Sequence, residues 1–121
     1  MMNKEQALYD FWASFGVPAY DVTSVPDTAS YPRITYEGTT DDFGNKVATT
    51  ISVWSRSTSW KEAEAIKRLI ELTITRGGYM KRFDGGALWI KKASPFAQRM
   101  NEYEDEMIRR IVINCEYEFL D

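Results

Sequence analysis

The sequence predicts an α+β fold, an antiparallel β-sheet of about five strands with two α-helices packed on one face. Two segments repeat their apolar residues at the helical period between capping and stop residues, and the others alternate at the period of a strand. The joins between successive strand segments are short or turn-rich, which favours antiparallel pairing.

The first helix opens at Asn3 and Gln6, which have capping-box spacing, and carries Leu8, Phe11, Trp12 and Phe15 on one stripe before Gly16 and Pro18 stop it. The stretch "VPAYDVTSVPDTASYP" has three prolines and little periodicity, so it reads as an extended connection. "RITYE" and "KVATTISVWSR" then alternate, with Ile34 and Tyr36 in the first and Val47, Thr49, Ile51 and Val53 in the second, and read as a hairpin. In "STSWKEAEAIKRLIELTI", Ser59 is placed to cap and Glu62 to reach back to it, while Ala63, Ile66, Leu69, Ile70 and Thr73 form the apolar stripe. Gly77 or Gly78 ends that helix. "YMKRF" and "ALWIK", joined by Asp84, Gly85 and Gly86, make a second hairpin. The last segment sets Ile111, Ile113, Cys115, Tyr117 and Phe119 against Val112, Asn114, Glu116 and Glu118, so one face of a long final strand meets the core and the other meets water or a polar partner.

A chain of 121 residues fits one domain, 1–121, and 44% hydrophobic and 14% aromatic content excludes intrinsic disorder. A net charge of −3 argues against a general nucleic-acid binder, which needs a basic stripe to displace counterions from phosphates. Cys115 is the sole cysteine, so there is no intramolecular disulfide, and a reducing place of synthesis follows. The chain lacks histidine, which removes the commonest general base, the Ser-His and Cys-His pairs and the usual zinc ligands. No apolar run approaches a membrane span, and "MMNKEQALYDFW" lacks the pattern of a secretory signal, so a soluble protein used without export is expected.

Several local patterns resemble chemistry without the context it needs. Asp42-Phe43-Gly44 matches the magnesium-binding triplet of kinases, but the chain is too short for that fold. Asp41, Asp42 and Asn45 lack the acidic spacing of a calcium loop and read as solvated turn residues. Glu102, Glu104, Asp105 and Glu106 have no oriented partner for acid–base work and read as a solvated face. Gly77-Gly78 is a turn, since no helix start follows, and Cys115 reads as core. The expectation is a protein that is not an enzyme, with no catalytic residue, no cofactor and no bound metal.

The segments "VWSRSTSWKEA", "DGGALWIKKASPFAQRM" and "IRRIVINCEYEF", with "AYDVTSVPDTASYPRITYE" between the first helix and the sheet, together resemble the tail terminator family of long-tailed, non-contractile bacteriophages, also called tail completion or minor tail proteins. The likeness runs in order through nearly the whole chain and rests on overall pattern, with no diagnostic motif. It implies a structural virion protein of the tail, assembled in the bacterial host cytoplasm. Such a protein forms a homohexameric ring on the finished tail tube, stops polymerisation of the major tail tube protein and offers a surface to the head-tail connector. DNA passes through the lumen without specific binding, and no membrane is involved.

The resemblance directs attention to two regions, the loop Gly38 to Lys46 and the segment Ala93 to Glu106, taken as a loop before the last strand. The candidate interface residues are Asp41, Asp42 and Phe43 in the first region and Phe96, Gln98, Arg99, Met100, Glu102, Glu104 and Asp105 in the second. Arg56, just before the second helix, is added as a bridge to an acidic neighbour within the subunit or in the next one. Phe96 and Met100 either fold back onto the sheet or anchor a partner, and Trp54, Trp60 and Trp89 suit the core edge better than a binding platform. Two other classes fit the same composition: another head-tail joining protein, such as a stopper or adaptor, and a small intracellular binding module or enzyme. The last would need a pocket with converging polar groups, which the sequence does not display.

Overall fold

A computed structural model describes residues 2–38, 46–101 and 105–120. Its elements, in chain order, are α1 (Lys4–Trp12), a short 3-10 turn (Ala13–Phe15), β1 (Ala19–Asp21), β2 (Arg33–Tyr36), β3 (Lys46–Arg56), α2 (Lys61–Thr73), β4 (Tyr79–Phe83), β5 (Gly86–Met100) and β6 (Ile108–Leu120). The strands form one curled sheet in the order β1-β2-β3-β6-β5-β4. The sheet has six strands rather than about five, and it is mixed rather than wholly antiparallel: β1 runs parallel to β2, while every other neighbouring pair is antiparallel. The extra strand lies in the proline-bearing connection. Three residues are too short to display an alternation, yet the Ile34 N–H donates to the Pro18 carbonyl at 2.9 Å and the Val22 N–H to the Tyr36 carbonyl at 2.8 Å.

α1 forms as its sequence dictates. Asn3 accepts from the Gln6 backbone N–H and the Gln6 side chain accepts from the Asn3 N–H, both at 2.9 Å, which satisfies two otherwise orphaned donors. Gly16 ends the segment in the left-handed region at φ 83°, a conformation that costs a residue without Cβ little. α2 starts differently from expectation. The Ser59 hydroxyl does accept from the Lys61 N–H at 3.1 Å, but Glu62 does not reach back to it; its carboxylate accepts the Ser55 hydroxyl at 2.6 Å. Ser55 is fully buried at the end of β3, and its hydroxyl needs that acceptor. The apolar stripe of α2 is Ala63, Ile66 and Ile70, continued by Ile74 beyond the helix. Leu69 stands one position and about 100° before Ile70, so it is half exposed and not part of the core.

The core lies between the helices and one face of the sheet, where Ile34, Ile51, Val53, Leu88, Ile90, Ile111, Ile113, Cys115 and Tyr117 meet Leu8, Phe11, Trp12, Ala63, Ile66 and Ile70. Trp12 and Phe11 pack edge to face at 4.8 Å between ring centres. The Trp12 indole N–H donates to the Tyr117 hydroxyl at 2.8 Å inside this core, tying α1 to the middle of the sheet. Among the described residues the opposite face carries no helix, and it is knitted by polar contacts. Lys91 lies 3.5 Å from Glu116 and 3.4 Å from Glu118, and Arg110 donates to the Ser52 hydroxyl at 3.0 Å while stacking on Trp54. The Trp54 indole donates to the Thr35 hydroxyl at 2.9 Å.

Two outcomes follow from this core. Tyr117→Phe strands the buried Trp12 N–H and should destabilise the fold by about 1–3 kcal/mol, seen as a lower urea midpoint with an unchanged slope. Burial also pushes the Cys115 thiol from 9.0 to about 12 and lifts the Tyr117 hydroxyl well above 10. Both groups hold their protons longer folded than unfolded, so stability is full below about pH 9 and falls as pH rises towards 12. Denaturant melts across that window should show the decline, and a thiol reagent at pH 8 should label Cys115 in urea but not in the native protein.

Candidate functional site

The segment expected as a docking loop is largely strand. β5 continues through Met100, so Ala93 to Met100 lie in the sheet beside β6, and the strand ends before Asn101. The sequence concealed this because the ladder breaks midway. Lys92 pairs with Cys115 and Ala97 with Ile113, so Ala93, Ser94, Pro95 and Phe96 all face Asn114 alone. Asn114 holds the bulge by donating its side-chain amide to the Pro95 carbonyl at 2.8 Å.

The bulge sorts the candidate residues by face. Phe96 is half-buried against the core, with the Lys92 ammonium 5.2 Å from its ring centre. Ala97 and Arg99 share the helix side with Ile113 and Ile111, their cross-strand partners, whereas Gln98 and Met100 pair with Val112 and Arg110 on the bare face and are exposed. Arg99 donates to Glu64 at 3.0 Å and stacks at 4.8 Å on Trp60; the Arg109 guanidinium lies 5.5 Å from the same ring. Burial pushes the Glu64 carboxyl up, but hydrogen bonds from Arg99 and Lys67 outweigh it and hold it below its ordinary value. Arg56 pairs with Asp105 within the subunit, and Asp105 also accepts from the Met107 N–H at 2.9 Å; the Met107 and Arg56 hydrogen bonds hold its carboxyl low. The structure therefore brings Arg56 and Asp105 together at one end of the sheet, with Arg99, Arg109 and Trp60 at that same end. Asp41, Asp42, Phe43, Glu102 and Glu104 lie outside the described residues.

A second feature was not anticipated. A cleft of about 560 Å³ opens between α1 and the ends of β1 and β2, lined by Glu5, Leu8, Tyr9, Asp21, Tyr36 and Glu37. Asp21 accepts from the Thr23 N–H at 2.9 Å and its hydroxyl at 2.7 Å, which holds its carboxyl below the usual range. A Cβ at Gly38 would stand 2.2 Å from the other Asp21 oxygen, so a larger residue there would push that carboxylate aside. Glu37 accepts from the Thr50 N–H and hydroxyl, both at 3.0 Å, and occupies part of the β3 edge that β2 leaves unpaired. Burial and the nearby Asp21, Tyr9 and Glu5 push the Tyr36 hydroxyl up to about 12. The cleft combines apolar walls with a carboxylate rim, which suits a cationic or amphipathic group. Only the Asp-x-Thr of residues 21–23 hints at it in sequence, as a local turn. Among the described residues no three Asp, Glu or Cys side chains converge as a metal site, and no helix is long and apolar enough to cross a membrane.

No protein-family model and no curated protein matches the chain. Its fold is similar to that of a chain from the virion of a native gene transfer agent particle, with a TM-score of 0.59, 18% identity, and coverage of 91% of this chain and 84% of that one. At that identity the likeness establishes a shared fold.

The placement of the bulge separates two residues the sequence left undecided. Phe96→Ser should destabilise by about 1.5–2.5 kcal/mol, roughly half the cost of emptying a fully buried phenylalanine site. Met100→Ser should stay within about 0.5 kcal/mol, as should Arg56→Ala, whose ion pair is exposed. Thermal or urea melts of the three variants read this directly.

Proposed function

We propose that the protein is a structural component of a phage-like virion, and specifically a tail terminator: a ring on the end of the tail tube that stops tube growth and presents the head-joining surface. The observation that carries the reading is the fold likeness to a gene transfer agent virion chain across 91% of this sequence. The sequence resemblance to tail terminators, spread in order through the chain, supports the finer role.

Size and charge fit a ring that passes DNA. A chain of this length has a radius of gyration of about 14 Å and forms a globule roughly 35 Å across. Six touching spheres of that size leave a hole of about one sphere diameter, while four leave only about 14 Å, too narrow for a duplex. Six copies at −3 each carry about −18, which disfavours a lasting grip on phosphates.

Adding the protein to polymerising tail tube protein should shorten the tubes and leave a ring density at one end in electron micrographs. Unchanged tube lengths, a two-fold dimer at the tube end, or salt-sensitive binding of the isolated protein to duplex DNA would overturn the reading. A density on the head side with no effect on length would favour a stopper or adaptor.

A further inference from the structure

The pairing registers of the five strands β1, β2, β3, β6 and β5 align into continuous rows. Ala19, Ile34, Val53, Ile111 and Arg99 form one row, Tyr20, Thr35, Ser52, Val112 and Gln98 the next, and Asp21, Tyr36, Ile51, Ile113 and Ala97 the third. Both ends of these rows are open. β4 pairs with β5 only from Gly86 to Ile90, so no described strand lies outside β5 at Ala97–Met100, and none lies outside β1. Unpaired edges of this kind are templates for another strand.

We infer that the β5 edge at Ala97–Met100 pairs with the β1 edge at Ala19–Asp21 of a second copy of this chain, joining subunits head to tail. Three features select this occupant. Because β1 and β2 are parallel and each later step across the sheet is antiparallel, β1 runs opposite to β5; two copies standing the same way up would therefore meet as an antiparallel pair. The edges stand in the same rows, so Gln98 comes opposite Tyr20 of the next copy with helix sides aligned and no register slip. Charge matches as well. Arg99, more than half exposed, comes diagonally opposite Asp21, whose cleft also carries Glu5 and Glu37, while the small residues Ala97 and Ala19 face the long ones. The Arg99–Glu64 pair is a surface pair, worth little, and exchanging it for this rim costs little. The two edges are unlike, so the contact is heterologous and builds rings or filaments, not two-fold dimers.

The inference deepens the tail terminator reading by assigning its subunit contact, and its test separates the two. Tyr20→Cys with Gln98→Cys, melting like the parent, is oxidised mildly both as concentrated free protein and on tail tubes, then run on a denaturing gel without reductant. Directly opposite side chains are close enough for a disulfide, and the buried Cys115 stays out of the exchange. On tail tubes most of the protein should move into a ladder of multimers that collapses on reduction, while in the concentrated free protein, where nothing holds the copies together, a smaller share should follow. Tyr20→Cys with Ala97→Cys points to opposite faces and should stay monomeric. Monomers in both arms, or dimers from Gln98→Cys alone, would overturn the strand contact whatever the micrographs show. A ladder with tubes left uncapped would sink the terminator role and leave the contact standing.

Discussion

The alternation of β6 is the constraint on which the other elements depend. It is flanked along nearly its whole length, with Ile108–Glu118 paired to β3 and Arg110–Leu120 paired to β5 apart from the break at Asn114. Five alternate side chains, Ile111, Ile113, Cys115, Tyr117 and Phe119, are all buried. A slip of one residue would put Val112, Asn114, Glu116 and Glu118 into the core, including two carboxylates with no buried partner, so the register is strongly specified. α1 inherits its position from this strand through the Trp12–Tyr117 hydrogen bond.

β5 answers that constraint in two different ways along one strand. Its first part shares core duty with β6, placing Leu88 and Ile90 beside Phe119 and Tyr117. After the bulge no β4 residue flanks it, and apolar burial gives way to Arg99 and Met100. The bulge, Pro95 and Lys92 blunt the middle of this edge against indiscriminate pairing, while the four residues beyond remain regular. An edge protected in one part and left regular in the next is compatible with selective pairing.

Much of the fold was legible because its signals are local and repeated. The Asn3–Gln6 box, the β2–β3 hairpin, the Asp84-Gly85 turn and the whole of β6 follow from period and turn chemistry. What escaped depended on distant partners. β1 is recognisable only once β2 lies beside it, and the strand identity of Ala97–Met100 is hidden behind a proline-bearing bulge that Asn114 closes from another strand. Glu62 was misassigned as a cap because its partner is a buried hydroxyl on β3. At the candidate site, Arg56 and Asp105 lie 49 positions apart and yet pair, which spacing does not disclose. The acidic cleft gathers residues from α1, β1 and β2, each unremarkable alone.

On the proposed contact, affinity and assembly separate. A junction of three or four residues a side, with one exposed ion pair, offers little gain against the cost of immobilising two proteins in solution. On a tube end, where the proposed function puts these copies, the balance would change, because a template would hold neighbouring copies in place and turn each further contact into an intramolecular one at high effective concentration. Closing the last gap adds a contact without a further subunit to immobilise. A terminator needs that combination: free copies that do not pair prematurely into filaments, and a ring that becomes stable only where a tube has been built. The short β1 edge, which looks like a weakness of the fold, is in this view the feature that keeps assembly dependent on its template.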